Sequence, residues 1–227
     1  MKNKILQIYN ILLEKYGKQG WWPISNKNAG ERARAFEISI GAILTQNTAW
    51  KNVEKALNNL IEKNLLSPEL ILKSQISDIA ECIKPAGYYN QKAERLRIFS
   101  EFFLKDFDKL KEIDAGKARQ VLLGIKGIGP ETADSILLYA LNKPVFVIDA
   151  YTKRMFSRML GADFSFEHYD KWQDFFHKNL EDSGKKAEMF NEFHALIVEH
   201  CKNACKKESD CEKCCMSGLC KAKTPNS

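Results

Sequence analysis

Leu122-Leu123-Gly124-Ile125-Lys126-Gly127-Ile128-Gly129-Pro130-Glu131-Thr132-Ala133 reads as a helix that runs into a tight turn at Gly127-Ile128-Gly129, with a second helix starting at once. Pro130 suits the first helical position, where a missing N–H costs nothing. The glycines permit positive φ and carry no side chain, so the backbone can approach a ligand closely. The second helix then offers free N–H groups and the positive end of its dipole. Such a turn grips a phosphate without reading sequence. A lone Gly-x-Gly is equally a ligand-free corner between helices. Here Leu-x-x-Ile-x-Gly-Ile-Gly leads in and Thr-Ala follows, and the complete pattern favours the phosphate.

Helical periodicity extends outward from this turn. Ile5, Ile8, Tyr9, Leu12, Leu13 and Tyr16 recur at i, i+3 and i+4, with Gly17 placed to end the helix. Trp50, Val53, Leu57, Leu60 and Ile61 repeat the pattern, as do Ala133, Ile136, Leu137, Ala140 and Leu141, and then Met189, Phe193, Leu196, Ile197 and His200. Val145-Phe146-Val147-Ile148 is the one strand-like run. It has no partner in the sequence and reads as a buried connection into the next helix.

The expectation is an all-α chain of 227 residues, 44% hydrophobic and 28% charged, large enough for a substantial core and globular in composition. A formal charge of +6, from 35 basic and 29 acidic residues, mildly favours a polyanionic partner. The N-terminus lacks a signal-peptide core, and no run approaches the ~18 apolar residues of a membrane span. A cytoplasmic protein is expected. Six of its seven cysteines fall between Cys201 and Cys220, which points to metal or cluster ligation rather than a disulfide framework.

Several linked segments resemble one superfamily. Gly127 to Ala133, followed by Val147-Ile148-Asp149-Ala150-Tyr151-Thr152-Lys153-Arg154, is similar to the hairpin and catalytic-aspartate segment of the endonuclease III-like helix-hairpin-helix DNA glycosylases. Gly41-Ala42-Ile43-Leu44-Thr45-Gln46-Asn47-Thr48 and Gly87-Tyr88-Tyr89-Asn90-Gln91-Lys92-Ala93 resemble two further segments of that superfamily, in the same order. The resemblance implies base-excision repair of double-stranded DNA by a monomer. It also implies a six-helix barrel domain over 28–143 containing the helix-hairpin-helix (about 117–141). Residues 1–27 and 144–227 would form a second helical domain, with a DNA cleft between the two.

It further implies that Asp149 is catalytic. Cleaving an N-glycosidic bond builds positive charge on the sugar, which a carboxylate stabilises while orienting the attacking water. Taken alone, Asp149 is equally an N-cap for the next helix, and the two roles can coexist. Bifunctional members carry a lysine before Thr-Ala that forms a Schiff base with the sugar. Here the position is Glu131, and Lys126 lies on the far side of the turn. The expectation is a monofunctional enzyme with weak or absent lyase activity.

Glu131-Thr132-Ala133-Asp134-Ser135, Asp149-Ala150-Tyr151 and Trp21-Trp22-Pro23 look like the 3-methyladenine DNA glycosylase III branch. Purines alkylated at a ring nitrogen are cationic, and aromatic walls attract them by about 0.5–2 kcal/mol per contact. Trp21, Trp22 and Trp50 are candidate walls, with Glu131 adding negative charge; core packing is the alternative for the tryptophans. The target base must leave the stack. Gln46 matches the wedge position that fills the gap, and Tyr88 stands where a second intercalating residue is expected. With Lys126, Gly127, Ile128, Gly129 and Thr132 these form the expected DNA-binding set.

Cys205-x5-Cys211-x2-Cys214-x5-Cys220 resembles the superfamily's iron–sulfur loop, C-x6-C-x2-C-x5-C, with the first gap one residue short. The implied cofactor is a structural 4Fe–4S cluster over 205–220. Zinc on the same thiolates is the alternative, and Cys201 is a spare for Cys205. Lys206, Lys207, Lys213, Lys221 and Lys223 suit DNA phosphates or plain solvent. Two other readings stay open: a glycosylase/lyase for oxidised or mismatched pyrimidines, and a non-catalytic iron–sulfur DNA-binding protein.

Overall fold

The computed structural model describes residues 1–161, 166, 168–180, 186–209, 211–212 and 214–222. It is all-α, as the periodicity predicts, and no strand occurs among the described residues. No helix among them is long and apolar enough to cross a membrane. The chain divides into two compact units, Trp22–Lys143, and Met1–Trp21 together with Pro144–Ser227.

The unit Trp22–Lys143 holds α2 (Glu31–Leu44), α3 (Trp50–Glu62), α4 (Pro68–Lys73), α5 (Ile76–Cys82), α6 (Tyr89–Lys105), α7 (Lys109–Glu112), α8 (Ala115–Leu123) and α9 (Pro130–Ser135). Helix α2 is buried from Ala35 to Leu44 and packs against α6. Phe36 meets Phe103 edge-on at 4.9 Å, and Phe103 stacks on Phe107 at 4.3 Å. The same core contains a lysine. Lys92 Nζ donates to the carbonyls of Leu44 and Ala86, each at 2.8 Å, so a cation closes the C-terminal end of α2. Burial, reinforced by the nearby Arg95 charge, pulls the Lys92 amine down to about 8.

Helix α9 departs from the predicted regular helix. From Ile136 to Ala140 the backbone is a π-turn, closed by Leu141 N–H to the Ile136 carbonyl at 3.2 Å. Asn142 then turns left-handed at φ 51°, and Lys143 N–H reaches back to Leu137 O at 2.8 Å. A positive-φ residue after the last turn ends a helix and satisfies its open carbonyls.

The other unit packs α12 (Lys186–Asn203) against α1 (Lys2–Tyr16) and α10 (Ala150–Leu160), and contains α11 (Tyr169–Asn179). Val145 to Ile148 is buried and irregular, the connection expected. Side chains replace the missing strand partner. Phe146 N–H donates to His177 Nε2 (3.0 Å), its carbonyl accepts from Gln173 Nε2 (2.8 Å), and Ile148 N–H donates to the Tyr169 hydroxyl (3.1 Å). Buried backbone polar groups require such partners. Phe146 stacks on Phe176 at 4.1 Å, which anchors the segment that delivers Asp149.

Candidate functional site

The hairpin joins α8 to α9. Pro130 occupies the first turn of α9, and Gly129 precedes it in extended conformation. Gly127 turns left-handed at φ +90°. Arg119 on α8 clamps Asp134 on α9, with Nε 2.7 Å from Oδ1 and Nη2 3.3 Å from Oδ2. Asp134 is fully buried, so this ion pair fixes the two helices around the turn. Among the described residues the N–H groups of Gly127 and Gly129 have no partner. Lys126 is exposed, and Ile128 is buried beneath the turn.

Gln46 lies on this hairpin. Its Nε2 donates to the Gly127 carbonyl and to the Thr132 hydroxyl, each at 3.0 Å, and its Oε1 accepts from Arg95 Nη1. The amide's two donors and its acceptor are all engaged. Tyr88 is 68% exposed with a left-handed backbone at φ 47°. Such a conformation is uncommon outside glycine.

Three aromatic rings meet in the same unit. Trp22 stands edge-on to Trp50 at 5.2 Å and tilted against Tyr139 at 5.1 Å. Its indole covers Gly41, where a Cβ would stand 3.1 Å from Cζ2 and Nε1. Glu37, buried on α2, holds the loop that carries Trp22, accepting from Ser25 N–H (2.6 Å) and Ser25 Oγ (2.9 Å). Trp21 belongs to the other unit, where Lys202 Nζ lies 5.7 Å from its ring centre. Glu131 is exposed in the first turn of α9.

Asp149 caps α10, its Oδ1 accepting from Thr152 N–H at 2.7 Å. The other oxygen lies 3.5 Å from His194 Nε2, on a carboxylate only 13% exposed. Burial pushes the Asp149 carboxyl up. The nearby His194 and the hydrogen bond from Thr152 N–H outweigh it, and hold the group below the usual aspartate range. The capping reading and an ionised, oriented carboxylate are thus present together.

The cysteine segment is fastened to α10. Arg154 Nε donates to Cys205 O (3.0 Å), and Arg158 donates to Lys206 O (2.5 Å) and Lys207 O (2.9 Å). These arginines lie one turn apart on one helix face. Cys205, Cys211, Cys214 and Cys220 line one cavity of about 450 Å³ with Met155, Met159, Met216 and His200, whereas Cys201 and Cys215 do not. Arg158 Nη1 stands 3.4 Å from Cys205 Sγ. A hydrogen bond from Cys201, against the opposing effect of burial, brings the Cys205 thiol down to about 6 with help from Arg158. Burial lowers His200 to about 4 and raises Tyr16 to about 12, with the neighbouring thiols adding to the rise. The Tyr16 hydroxyl lies within hydrogen-bond distance of His200 Nδ1 (3.0 Å), and His200 Nε2 stands 3.6 Å from Cys214 Sγ. Of the loop lysines, Lys213 and Lys223 lie outside the described residues.

Sequence reasoning passed over His194, Arg95, Tyr139, Glu37 and the α10 arginines. Their roles arise from contacts between residues far apart in the chain, which local patterns do not report.

Comparisons with known proteins identify the family and the fold. The family model described as "HhH-GPD superfamily base excision DNA repair protein" matches residues 40–181. A Methanocaldococcus jannaschii protein named "Putative DNA repair glycosylase" is 46% identical over 224 residues, 96% of each chain. The crystal structure of the H. pylori 3-methyladenine DNA glycosylase MagIII, bound to 1,N6-ethenoadenine, is 34% identical. It superposes with a TM-score of 0.71 over 88% of this chain and 97% of that one. An endonuclease III trapped as a covalent DNA intermediate shares the fold, with a TM-score of 0.76 at 18% identity over 98% of this chain and 96% of that one. The chain is a base-excision DNA repair glycosylase of the helix-hairpin-helix superfamily.

Proposed function

We propose that this chain is a monofunctional DNA N-glycosylase that removes alkylated purines of the 3-methyladenine type. One observation carries the reading. Asp149 is an ionised carboxylate fixed at a helix start, while position 131, where a bifunctional member has its lysine, is an exposed glutamate. A fixed carboxylate stabilises positive charge on the sugar and orients water toward the anomeric carbon. The bond to the base breaks, its electron pair leaves with the cationic base and neutralises it, and water supplies the hydroxyl of the abasic site, its remaining proton passing to Asp149 and on to solvent. Glu131 cannot form a Schiff base, so the strand stays intact.

The ring group of Trp22, Trp50 and Tyr139 supports a cationic, aromatic substrate. The 1,N6-ethenoadenine held by the H. pylori relative is likewise a modified adenine. The hairpin holds a backbone phosphate, and Gln46 and Tyr88 fill the space left by the flipped base. The partner is damaged double-stranded DNA and the working form a monomer, in the cytoplasm and at the nucleoid.

Cys205, Cys211, Cys214 and Cys220 fit a 4Fe–4S cluster. They surround a cavity instead of converging on a point, and among the described residues no three His, Cys, Asp or Glu side chains converge on a single ion. The cluster would staple the 205–220 segment together; base hydrolysis draws no electrons from it.

Borohydride trapping on abasic duplex DNA tests the monofunctional reading. No covalent adduct and no nicking are expected. Efficient trapping, with nicking of oxidised or mismatched pyrimidine duplexes, would establish the lyase alternative.

A further inference from the structure

Arg95 lies across the hairpin. Gly127 leaves room for it: a Cβ there would stand 2.6 Å from Arg95 Cγ and 2.7 Å from Nε. The guanidinium donates a hydrogen bond from Nη1 to Gln46 Oε1. Unlike Arg32, paired with Asp108, and Arg119, paired with Asp134, it has no acidic partner among the described residues. Its remaining N–H groups accompany those of Gly127 and Gly129, also without partners there. A half-buried cation without a counter-ion, beside two open backbone donors, is suited to an anion.

Resting on the DNA-binding reading above, we infer that Arg95 is a backbone-phosphate ligand at the hairpin and, in the free protein, the latch that holds Gln46 on it. The neutral Gln46 amide is a weaker acceptor for a guanidinium than a phosphodiester oxygen. A phosphate reaching the hairpin takes Arg95 from Gln46 Oε1. Gln46 is then left with its two bonds to Gly127 O and Thr132 Oγ1 and is freer to enter the duplex. Gripping the backbone and releasing the wedge become one event.

The test is the salt dependence of binding to an undamaged duplex, read by fluorescence anisotropy for the wild type, Arg95→Met, Arg95→Lys and Gln46→Ala. Stopped-flow 2-aminopurine fluorescence reports base flipping, and melting curves confirm that each variant is folded. Each phosphate neutralised contributes about 0.9 to the slope of log K against log salt. Arg95→Met is expected to lose about one such unit, Arg95→Lys to restore it, and Gln46→Ala to leave it at the wild-type value. Because Arg95→Lys loses the planar fork to Gln46, its wedge is unlatched before DNA arrives, and flipping after mixing should be faster than in the wild type at a matched slope. An unchanged slope in folded Arg95→Met would overturn the phosphate assignment. An unchanged flipping rate in Arg95→Lys would overturn the latch. A wild type that binds DNA without salt dependence would instead defeat the DNA-binding reading itself.

Discussion

Replacing Asp149 by asparagine separates its two roles. The Oδ1 bond to Thr152 N–H, 2.7 Å long, caps α10, and asparagine caps about as well as aspartate. The Asp149→Asn variant therefore keeps the helix start, and the cost in stability is expected to stay within about a few tenths of a kcal/mol. Alanine at the same position loses the cap, about 1 kcal/mol, or roughly 2–4 °C of melting temperature in a chain of this size. Both variants lose the negative charge. The carboxylate is 13% exposed and has His194 Nε2 3.5 Å from Oδ2, so water screens its field little. Removing one preorganised stabiliser of transition-state charge costs about 10²–10³-fold, and this group has no second carboxylate to replace it in its hydrogen-bonded set. Single-turnover base release, duplex affinity and melting temperature should be measured on both variants. Base release should fall at least 100-fold in both, roughly the lower end of that range, with affinity nearly intact, while only Asp149→Ala melts earlier. Wild-type turnover by Asp149→Asn would refute the catalytic assignment.

Lys92 gives a pH signature. Its folded value, about 8, lies below the ordinary 10.5, so between these values the unfolded chain binds more protons and the lysine's contribution to stability rises with pH. Wild-type stability minus that of Lys92→Met should be flat below about pH 8 and rise toward pH 10.5, read by urea unfolding; a fall over that interval would contradict the burial argument. Arg119→Ala strands buried Asp134 and should cost about 3–5 kcal/mol, and a melting temperature within 1–2 °C of wild type, roughly the shift of half a kcal/mol, would show that the clamp is dispensable. Cys201→Ser and Cys215→Ser should purify brown with a full iron complement, whereas serine at Cys205, Cys211, Cys214 or Cys220 should lose iron and visible absorption. A colourless, zinc-replete wild type would remove the cluster from the account.

The hairpin was legible because glycine and proline carry backbone meaning wherever they stand: Gly127 needs its positive φ and Pro130 its place in the first turn. Apolar spacing located the helices for the same local reason. Asp149 was legible as a cap, which the structure shows; its proposed catalytic role came from the surrounding motif. Its partner His194 was not, since nothing at position 194 signals that α12 brings an imidazole to the start of α10. Lys92 is the sharper case. A lysine reads as surface, and only the carbonyls of Leu44 and Ala86 make its burial tolerable. The π-turn at Ile136–Ala140 escaped because over a single turn its apolar face matches that of an α-helix. In the cysteine segment, spacing left Cys201 and Cys205 as rivals. Cys205 lines the cavity with the other three cysteines and Cys201 does not, which favours Cys205.

The most direct test is to incubate the protein with methylated duplex DNA, chromatograph the released bases and run the same DNA on a denaturing gel. Free 3-methyladenine and an unbroken strand are expected. No released alkylpurine, with cleavage of duplexes carrying oxidised or mismatched pyrimidines, would contradict both the aromatic-pocket argument and the consequence drawn from Glu131.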